Sequence, residues 1–333
     1  MTQLTHDART TQTSQRHLGA GLLLAVTSAT AFGTSGALAR GLIDAGWSPS
    51  AAVTVRILVA AAVLAVPVLL TLRGRWGLVV EHARLVTLYG IGAVAAAQLC
   101  YFQAVARMDV GMALLIEYTA PVAIVGWLWL RRGERPSRLT IAGAMVAAVG
   151  LVLVLDLVAG GSLDVIGVLW ALAAMVGIAS YFLLSADDSS GVPPLVLVGG
   201  GLVVAGIGLV LAAVVGILPW TSSTDDVVYA VGTVPWWVPL LAIGVIAGAF
   251  AYMTGVAAAR RLGSRLASFV ALTEVLAALV FAAILLDQVP SPLQVLGALA
   301  VVGGVVLVKL GEPRPAGEPE AMPAVAGLDA DGR

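Results

Sequence analysis

Runs of apolar residues, each roughly twenty residues long, recur along the whole chain between short polar or proline- and glycine-containing segments. A bilayer core of roughly 30 Å is crossed by about 20 residues of α-helix, and a helix satisfies its own backbone there, so each run predicts a transmembrane helix. The pattern predicts ten of them, at residues 18–40, 50–72, 84–106, 110–130, 139–158, 163–185, 193–218, 235–259, 264–286 and 292–310. We therefore predict an all-α integral membrane protein that begins with a polar tail at residues 1–17.

The overall composition supports a membrane protein and excludes several other classes. Hydrophobic residues make up 60% of the 333 residues and charged residues 11%, whereas soluble proteins carry roughly 25% charged residues. A net charge of -1 supplies no field that would gather phosphates, so we expect no nucleic-acid partner. The one cysteine, Cys100, cannot form an internal disulfide.

The chain lacks the sequence patterns of the common catalytic and cofactor sites. It contains no phosphate-binding loop, and its three histidines lie in polar segments outside the apolar runs. ATP-driven transport, intramembrane hydrolysis by a serine and histidine, and helical zinc sites are therefore not expected. We predict a protein that is not an enzyme and that needs no metal or cofactor.

The distribution of arginine and lysine predicts the orientation in the membrane, because these residues accumulate in cytoplasmic loops. With the amino terminus inside, most of the 18 basic residues fall in inner segments, and Arg40 and Arg107 are the ones assigned to the outer side. The outer segments are instead acidic or aromatic, with Trp47, Trp220, Trp236 and Trp237 as candidate interface anchors. Both termini are predicted to be cytoplasmic, in a protein of the cytoplasmic (inner) membrane of a bacterium.

The chain also contains an internal repeat. Residues 120–154 align with residues 273–308, which pairs Glu134 with Asp287, Pro136 with Pro290, Gly143 with Gly297 and Gly150 with Gly304. An odd number of spans per copy inverts the second copy in the membrane, and inverted repeats are a device for alternating access. We predict two inverted five-helix repeats at residues 18–158 and 163–310, followed by a disordered cytoplasmic tail at residues 311–333.

Three ionisable side chains fall inside predicted spans, where each costs at least about 2.5 kcal/mol on insertion scales. Arg56 and Glu117 lie at similar depths, roughly 10 Å below the predicted outer surface, which predicts an ion pair. Such a pair either locks two spans together or lines a vestibule, where the arginine takes a substrate carboxylate and the glutamate an ammonium group. Glu274 falls near the midplane and is either a proton carrier or a protonated acid bonded to a neighbouring helix.

Polar side chains close to these charges complete the predicted site. They either bind the substrate or only bond neighbouring helices together. The glycines around residues 33–37 and 199–201 are expected to allow close helix packing. The candidate substrate-binding residues beside Arg56 and Glu117 are Gln98, Tyr101, Tyr118, Thr34 and Ser35, with Gln103, Tyr181 and Tyr252 as weaker candidates.

Three segments resemble a known family. They read AFGTSGALARGLIDAGWSPSAAVTVRILVAAAVL, LLIEYTAPVAIVGWLWLRRGERPSRLTIAGAMVAAVGLVLV and LTEVLAALVFAAILLDQVPSPLQVLGALAVVGGVVLV. They are similar to the two EamA repeats of the drug/metabolite transporter superfamily, and the likeness covers residues 18–310. It implies ten spans, cytoplasmic termini and secondary export of metabolites such as amino acids, or of toxic compounds. The motif IEYTAP is similar to that of threonine/homoserine-type exporters, whereas Glu274 and Asp287 stand where that family usually has proline and glutamate.

The sequence therefore predicts a secondary transporter that exports small metabolites, amino acids or related compounds, by alternating access and with proton coupling at Glu274. Within the transport class, the alternatives are a multidrug efflux carrier and an uptake carrier. Outside that class, the alternative is a membrane scaffold or sensor that transports nothing. The expected partners are a small-molecule substrate and the lipid bilayer, and the protein is expected to be a monomer or a homodimer.

Overall fold

A computed structural model describes residues 2–120, 129–130, 136–154, 164–185 and 191–311. The predicted carboxyl-terminal tail from residue 312, together with Pro121 and Glu134, lies outside these residues. The described residues fold almost entirely into helices. In chain order these are α1 (Thr2–Asp44), α2 (Pro49–Leu72), α3 (Gly77–Glu81), α4 (Ala83–Leu88), α5 (Ala97–Val105), α6 (Val110–Glu117), α7 (Arg138–Val154), α8 (Val165–Ser185), α9 (Pro194–Val214), α10 (Trp237–Gly244), α11 (Ala251–Ala271), α12 (Thr273–Leu286) and α13 (Pro292–Gly311).

Two π-helical segments interrupt the regular helices. The first, π1 (Tyr89–Ala96), joins α4 to α5, and the second, π2 (Val245–Phe250), joins α10 to α11. The chain therefore forms two continuous helical rods, each with a π-helical part of its own. Such segments are rare and frequently occur at functional sites.

Several of these helices are long and apolar enough to cross a bilayer. By length and composition, five described stretches qualify: Gly19–Asp44, Pro49–Leu72, Ala83–Val105, Leu195–Val214 and Trp237–Gly255. Shorter apolar helices occupy Arg138–Val154, Val165–Tyr181, Thr273–Leu286 and Pro292–Val308. The prediction of a helical membrane protein is confirmed. The described residues do not reach ten apolar helices, since much of the predicted span 110–130 lies outside them.

The predicted polar tail is part of the first helix. Helix α1 begins at Thr2 and continues to Asp44 without a break at residue 18. Residues 2–18 contain neither glycine nor proline, so nothing in this stretch stops a helix from extending into it.

Helices α7 and α13 pack against each other through matched glycines, in antiparallel directions. A methyl group on Gly143 would lie 2.6 Å from the carbonyl oxygen of Gly304, and one on Gly150 would lie 2.7 Å from that of Gly297. The sequence repeat pairs Gly143 with Gly297 and Gly150 with Gly304, so each glycine packs against the partner of the other. This exchange of contacts is what a two-fold axis between the copies produces.

The other helices show the same reciprocity. Helix α1 packs on π2, α11 and α12, while α8 packs on π1, α5 and α6. Helix α9 packs on π1, and α2 packs on π2 and α10. The contacts of α1 and α2 with the second half of the chain are thus matched by the contacts of α8 and α9 with the first half.

Two breaks in the helices lie at related places in the two halves. Helix α6 ends at Glu117 and is followed by a turn at Tyr118 and Thr119, whereas α11 ends at Ala271 and α12 begins at Thr273. At each break a threonine hydroxyl donates back to the carbonyl three residues earlier: Thr119 to Ile116 and Thr273 to Val270, both at 2.6 Å. Such bonds compete with the regular backbone pattern and loosen the helix there.

The second break corrects the predicted boundary between spans 235–259 and 264–286. Helix α11 continues through residues 260–263, where the sequence predicts a loop. Alanine and arginine are strong helix formers, and the single Gly263 does not outweigh them. As a result Glu274 is the second residue of α12 and not the tenth residue of a longer span.

A small β-hairpin, which an all-α prediction does not contain, joins α9 to α10. Its strands, β1 (Val227–Tyr229) and β2 (Gly232–Val234), pair antiparallel with Val227 opposite Val234. Strands of three residues carry too little alternation to be recognised in a sequence. The hairpin is fixed by tertiary contacts, since the amide of Ala230 donates to the carbonyl of Leu285 at 2.8 Å.

The hairpin and the segment before it cover the end of α1. The Tyr229 ring packs on Gly41, and its hydroxyl donates to the Leu38 carbonyl at 3.1 Å. Trp47 donates to the carbonyl of Ser223 at 2.9 Å and stacks on Trp236 with ring centroids 6.1 Å apart. Trp47 is only 6% exposed, so it packs inside the protein, whereas the sequence predicted a lipid-interface anchor.

Alkaline pH is expected to release this hairpin. Burial, together with the nearby Asp44 carboxylate, raises the pKa of the Tyr229 hydroxyl above its ordinary value. The neutral phenol is thus favoured in the folded state. Its contribution to the stability of the docked hairpin is complete below the ordinary pKa of about 10 and is lost as the pH rises through the higher pKa of the folded state.

The measurement is the mobility of a fluorophore on V231C, a 68% exposed position in the hairpin, in a C100S background. Its mobility should rise over the alkaline range with Tyr229 present. Y229F should lose the pH response and about 1 kcal/mol of docking from the missing hydrogen bond. An identical alkaline response in Y229F would assign the release to another group.

Candidate functional site

Arg56 of α2 is buried, with 3% of its surface exposed, and links three separate elements. One terminal nitrogen, Nη1, donates to the side-chain oxygen of Gln98 on α5, and Nη2 donates to the carbonyl of Ala247 at 3.1 Å. The guanidinium carbon lies 5.5 Å from the ring centroid of Phe102, a distance typical of cation–π contact. Arg56 therefore connects α2 to both rods, and its backbone acceptor lies within π2.

Glu117 and Glu274 stand at the two helix breaks. Glu117 is the last residue of α6, and Glu274 lies in the first turn of α12. The hydroxyl of Tyr118 donates to Oε2 of Glu274 at 2.7 Å. The helix dipole favours an anion at the start of α12 and disfavours one at the end of α6. The two carboxylates therefore have opposite local environments, and Glu117 is buried whereas Glu274 is half-buried.

Glu117 has no hydrogen-bond donor among the described residues, although only 7% of its surface is exposed. Tyr118, its neighbour in sequence, donates to Glu274 instead. A buried carboxylate without a donor is costly unless a cation or a proton joins it. Among the described residues, Glu117 is therefore a buried acid that no hydrogen-bond donor stabilises.

The predicted ion pair between Arg56 and Glu117 is not formed. In the described ranges, the ion pairs within 4.0 Å join Arg40 to Asp44 and Arg107 to Asp164. Arg56 interacts with both Glu117 and Glu274 through longer-range electrostatics. One buried cation therefore faces the buried carboxylate of Glu117 and the half-buried carboxylate of Glu274, which leaves an excess of one negative charge when both are ionised.

Aromatic side chains surround these charges. Tyr101 and Tyr252 are 6% and 7% exposed, and each interacts electrostatically with Arg56 and both glutamates. The Tyr101 hydroxyl lies against Gly36, where a methyl group would be 2.4 Å from it. Tyr252 lies beside Gln98 and meets the Phe32 ring edge-on, with centroids 5.0 Å apart. The cluster is thus bordered by polarisable rings from α1, α5 and α11.

The remaining candidates from α1 and α8 differ in their environments. The Thr34 hydroxyl donates to the Ala31 carbonyl of its own helix at 2.7 Å. The Ser35 hydroxyl is buried and has no hydrogen-bond partner within the described residues. Tyr181 packs on Tyr89, with ring centroids 5.9 Å apart. The structure thus brings Arg56, Gln98, Tyr101, Tyr118, Glu117 and Glu274 into one cluster, together with Tyr252.

Three contributors to the cluster were missed at the level of sequence. Phe102, Phe32 and the carbonyl of Ala247 all contact members of the site. Phe102 directly follows a predicted site residue, which is a signal that sequence reading could have used. A backbone carbonyl has no sequence signal, because every residue carries one and only tertiary packing decides which of them meets Arg56.

The predicted packing role of the glycines is confirmed. A methyl group on Gly33 would lie 3.0 Å from the amide nitrogen of Ala278, next to the turn that carries Glu274. Gly199 and Gly201 similarly pack against side chains of α2 and π1, namely Val68 and Tyr89. The described residues contain no group of three or more metal-ligating side chains.

Long apolar helices, reciprocally packed halves and charges buried at two helix breaks define the class of this molecule: it is a multi-pass helical membrane protein. The profile of the EamA-like transporter family matches the chain twice, at residues 19–156 and 165–310. The chain belongs to this family and is a membrane transporter of the drug/metabolite type. The resemblance in the sequence is confirmed.

Among curated proteins, no sequence matches this chain. A crystal structure described only as that of a protein is similar, with a TM-score of 0.56 and 22% sequence identity. The similarity covers 87% of this chain and 97% of the other. At this level of identity it supports the fold, and the assignment of roles depends on the site itself.

Proposed function

We propose that this protein is a secondary transporter that exports small metabolites, amino acids or related compounds, across the cytoplasmic membrane by alternating access coupled to protons. The observation that carries the proposal is the cluster of the buried Arg56 and Glu117 with the half-buried Glu274, in which the two glutamates stand at two helix breaks. Discontinuous helices that meet at a buried polar site are a recurring construction in transporters. A scaffold or sensor has no need for uncompensated charge at that place.

The reciprocal packing supports alternating access. Related halves can exchange conformations, so that a cavity open to one side becomes a cavity open to the other. The α7 and α13 glycine contact provides a tight pivot, since backbone meets backbone there. The two π-helical segments and the two helix breaks are the irregular parts of the helices that carry or contact the charged cluster.

Proton coupling is assigned to Glu274. Its carboxylate accepts a hydrogen bond from Tyr118, and the charged or titratable groups that interact with it are Arg56, Glu117, Tyr101 and Tyr252. Because one arginine cannot neutralise two carboxylates, binding a proton at Glu274 balances the cluster. Release of that proton on the other side of the membrane would then favour return of the carrier.

Substrate binding is assigned to Glu117 with Gln98, Tyr101, Tyr118, Thr34 and Ser35. Arg56 contributes its charge to this cluster while its hydrogen bonds hold Gln98 and π2 in place. The roles of the two glutamates therefore differ, since Glu274 has an internal donor and Glu117 has none.

The test is flux in proteoliposomes that contain the purified full-length protein. E274Q should abolish flux driven by a pH gradient but retain exchange of labelled against unlabelled substrate, since the neutral side chain mimics the protonated state. The compounds tested are labelled amino acids and the amines obtained from them by loss of the carboxylate.

The matched control is D287N, an exposed acidic residue at the end of the same helix with a left-handed backbone that asparagine also adopts. D287N should transport as the unaltered protein does. Undiminished pH-driven flux in E274Q would remove the proton-coupling assignment, and no flux of any labelled compound in the unaltered protein would remove the transport assignment for these substrates.

A further inference from the structure

We propose that Glu117 binds the protonated amino group of the transported molecule and that this molecule is an organic amine that needs no carboxylate for recognition. The inference deepens the proposed function by naming the substrate class. That the bound amine is transported rests on the proposed function, whereas its binding at Glu117 does not. It rests on which groups of the cluster are already occupied and which are not.

The arginine is the first of these groups. Both terminal nitrogens of Arg56 already donate hydrogen bonds, to Gln98 and to the Ala247 carbonyl, and Phe102 lies against the guanidinium. These contacts use two of the five N–H donors of the guanidinium, and because only 3% of Arg56 is exposed, a substrate carboxylate has little room to approach the others. Arg56 is therefore a fixed positive charge in the wall of the site.

The glutamate is the second group. Glu117 is buried, yet no group in the described part of the chain donates a hydrogen bond to it. It lies at the carboxyl end of α6, where the helix dipole places partial negative charge. Both features disfavour a bare carboxylate and favour an arriving ammonium group, which supplies a positive charge and three N–H donors.

The surroundings select the same class of molecule. When Glu117 and Glu274 are both ionised beside Arg56, the cluster has an excess of one negative charge, so a monocation neutralises it whereas a zwitterion does not. Tyr101 and Tyr252 lie close enough to Glu117 for electrostatic interaction. Aromatic faces attract ammonium groups and also cover an apolar substrate body.

The experiment measures ligand-induced thermal stabilisation of the purified full-length protein in detergent, at neutral pH. The probes are primary amines of increasing size, from methylamine to phenethylamine. Each is compared with the acid of the same body, 3-phenylpropionate for phenethylamine, and phenylalanine serves as the zwitterion. We expect saturable stabilisation by at least one amine, weaker stabilisation by the zwitterion and none by the acid.

Variants locate the binding site. E117Q should weaken the apparent affinity for the stabilising amine by about tenfold or more, because a charge-assisted hydrogen bond is lost. E117D should retain part of the affinity, and E81Q, which removes an exposed glutamate, should behave as the unaltered protein. If E117Q does not fold, the E117D variant and the comparison of amine with acid still test the proposal.

Three outcomes overturn the inference: no amine stabilises the protein, the acid binds as tightly as the amine, or E117Q binds the amine unchanged. Binding in detergent is independent of flux in vesicles, so the two proposals can fail separately. Amine binding through Glu117 without any flux leaves this inference standing and removes the transport assignment. If E117Q transports an amine as fast as the unaltered protein does, the transport assignment stands and this inference is removed.

Discussion

G304L is expected to destabilise the protein by about 3 kcal/mol or more, enough to remove most of the monodisperse protein extracted in detergent. A side chain at this position would place its first carbon 2.5 Å from the amide nitrogen of Ala147 and 2.6 Å from the carbonyl oxygen of Gly143. Both obstacles are backbone atoms of α7. A rotamer change cannot relieve them, so the two helices must separate along their length.

The adjacent G303L variant is the matched control. Gly303 lies on the same helix, and nothing stands within 4 Å of a carbon added there. Both substitutions change helix propensity by the same amount, up to about 1 kcal/mol in favour of the helix, so their difference isolates the interhelical contact. The measurement is thermal stability followed by fluorescence-detected size-exclusion chromatography.

The reciprocal contact extends this prediction. G143L should be as damaging as G304L, because a carbon on Gly143 would lie 2.6 Å from the Gly304 carbonyl oxygen and 2.7 Å from the Val308 amide nitrogen. Equal melting temperatures for G304L and G303L would contradict the close packing of α7 on α13. They would also remove the structural support for a two-fold relation between the halves.

R56A is expected to be the most damaging single change in the charged cluster, with a loss of about 3–5 kcal/mol. It removes the donors to Gln98 and Ala247 and the cation against Phe102. It also leaves the buried Glu117 and the half-buried Glu274 without their compensating charge. We expect little folded protein and no transport.

Neutralising one glutamate should restore part of this loss. In the double variant R56A with E117Q, one carboxylate remains and it can be neutralised by a proton, so at least about 1 kcal/mol of the lost stability should return. The control is R40A, which removes an arginine that forms an exposed ion pair with Asp44 and donates to the Val105 carbonyl at 3.1 Å; it should cost about 2 kcal/mol or less. A double variant as unstable as the sum of the single changes would show that Arg56 and Glu117 are not coupled.

The predicted ion pair between Arg56 and Glu117, which is not formed, shows one limit of prediction from sequence. Counting residues from the end of a predicted span gives the depth of a side chain, and it places the two at similar depths. It does not give the direction in which each side chain points around its helix. In the structure, Arg56 points to Gln98 and to the backbone of π2, because the packing of α2 on α5 and π2 brings those acceptors within reach.

Glu274 shows a second limit of the same kind. Its apolar context marked it as a buried acid of interest, which the structure supports by placing it in the charged cluster. Its local environment depends on a helix break at Leu272, which has no glycine or proline to announce it. The break places Glu274 at the start of a helix and lets Tyr118, from the other break, reach its carboxylate.

The amino-acid sequence by itself determined the membrane class, the internal repeat and the small set of buried charges. The membrane class and the buried charges follow from the cost of placing polar groups in lipid, and the repeat follows from an acidic residue and a proline that match between the two copies together with the glycines. Both can be read along a single chain. The partners of Arg56, the two π-helical segments, the helix breaks and the docked hairpin were decided only by tertiary structure. Each depends on which backbone and side-chain groups distant parts of the chain bring within a few ångströms, and local sequence does not encode that distance.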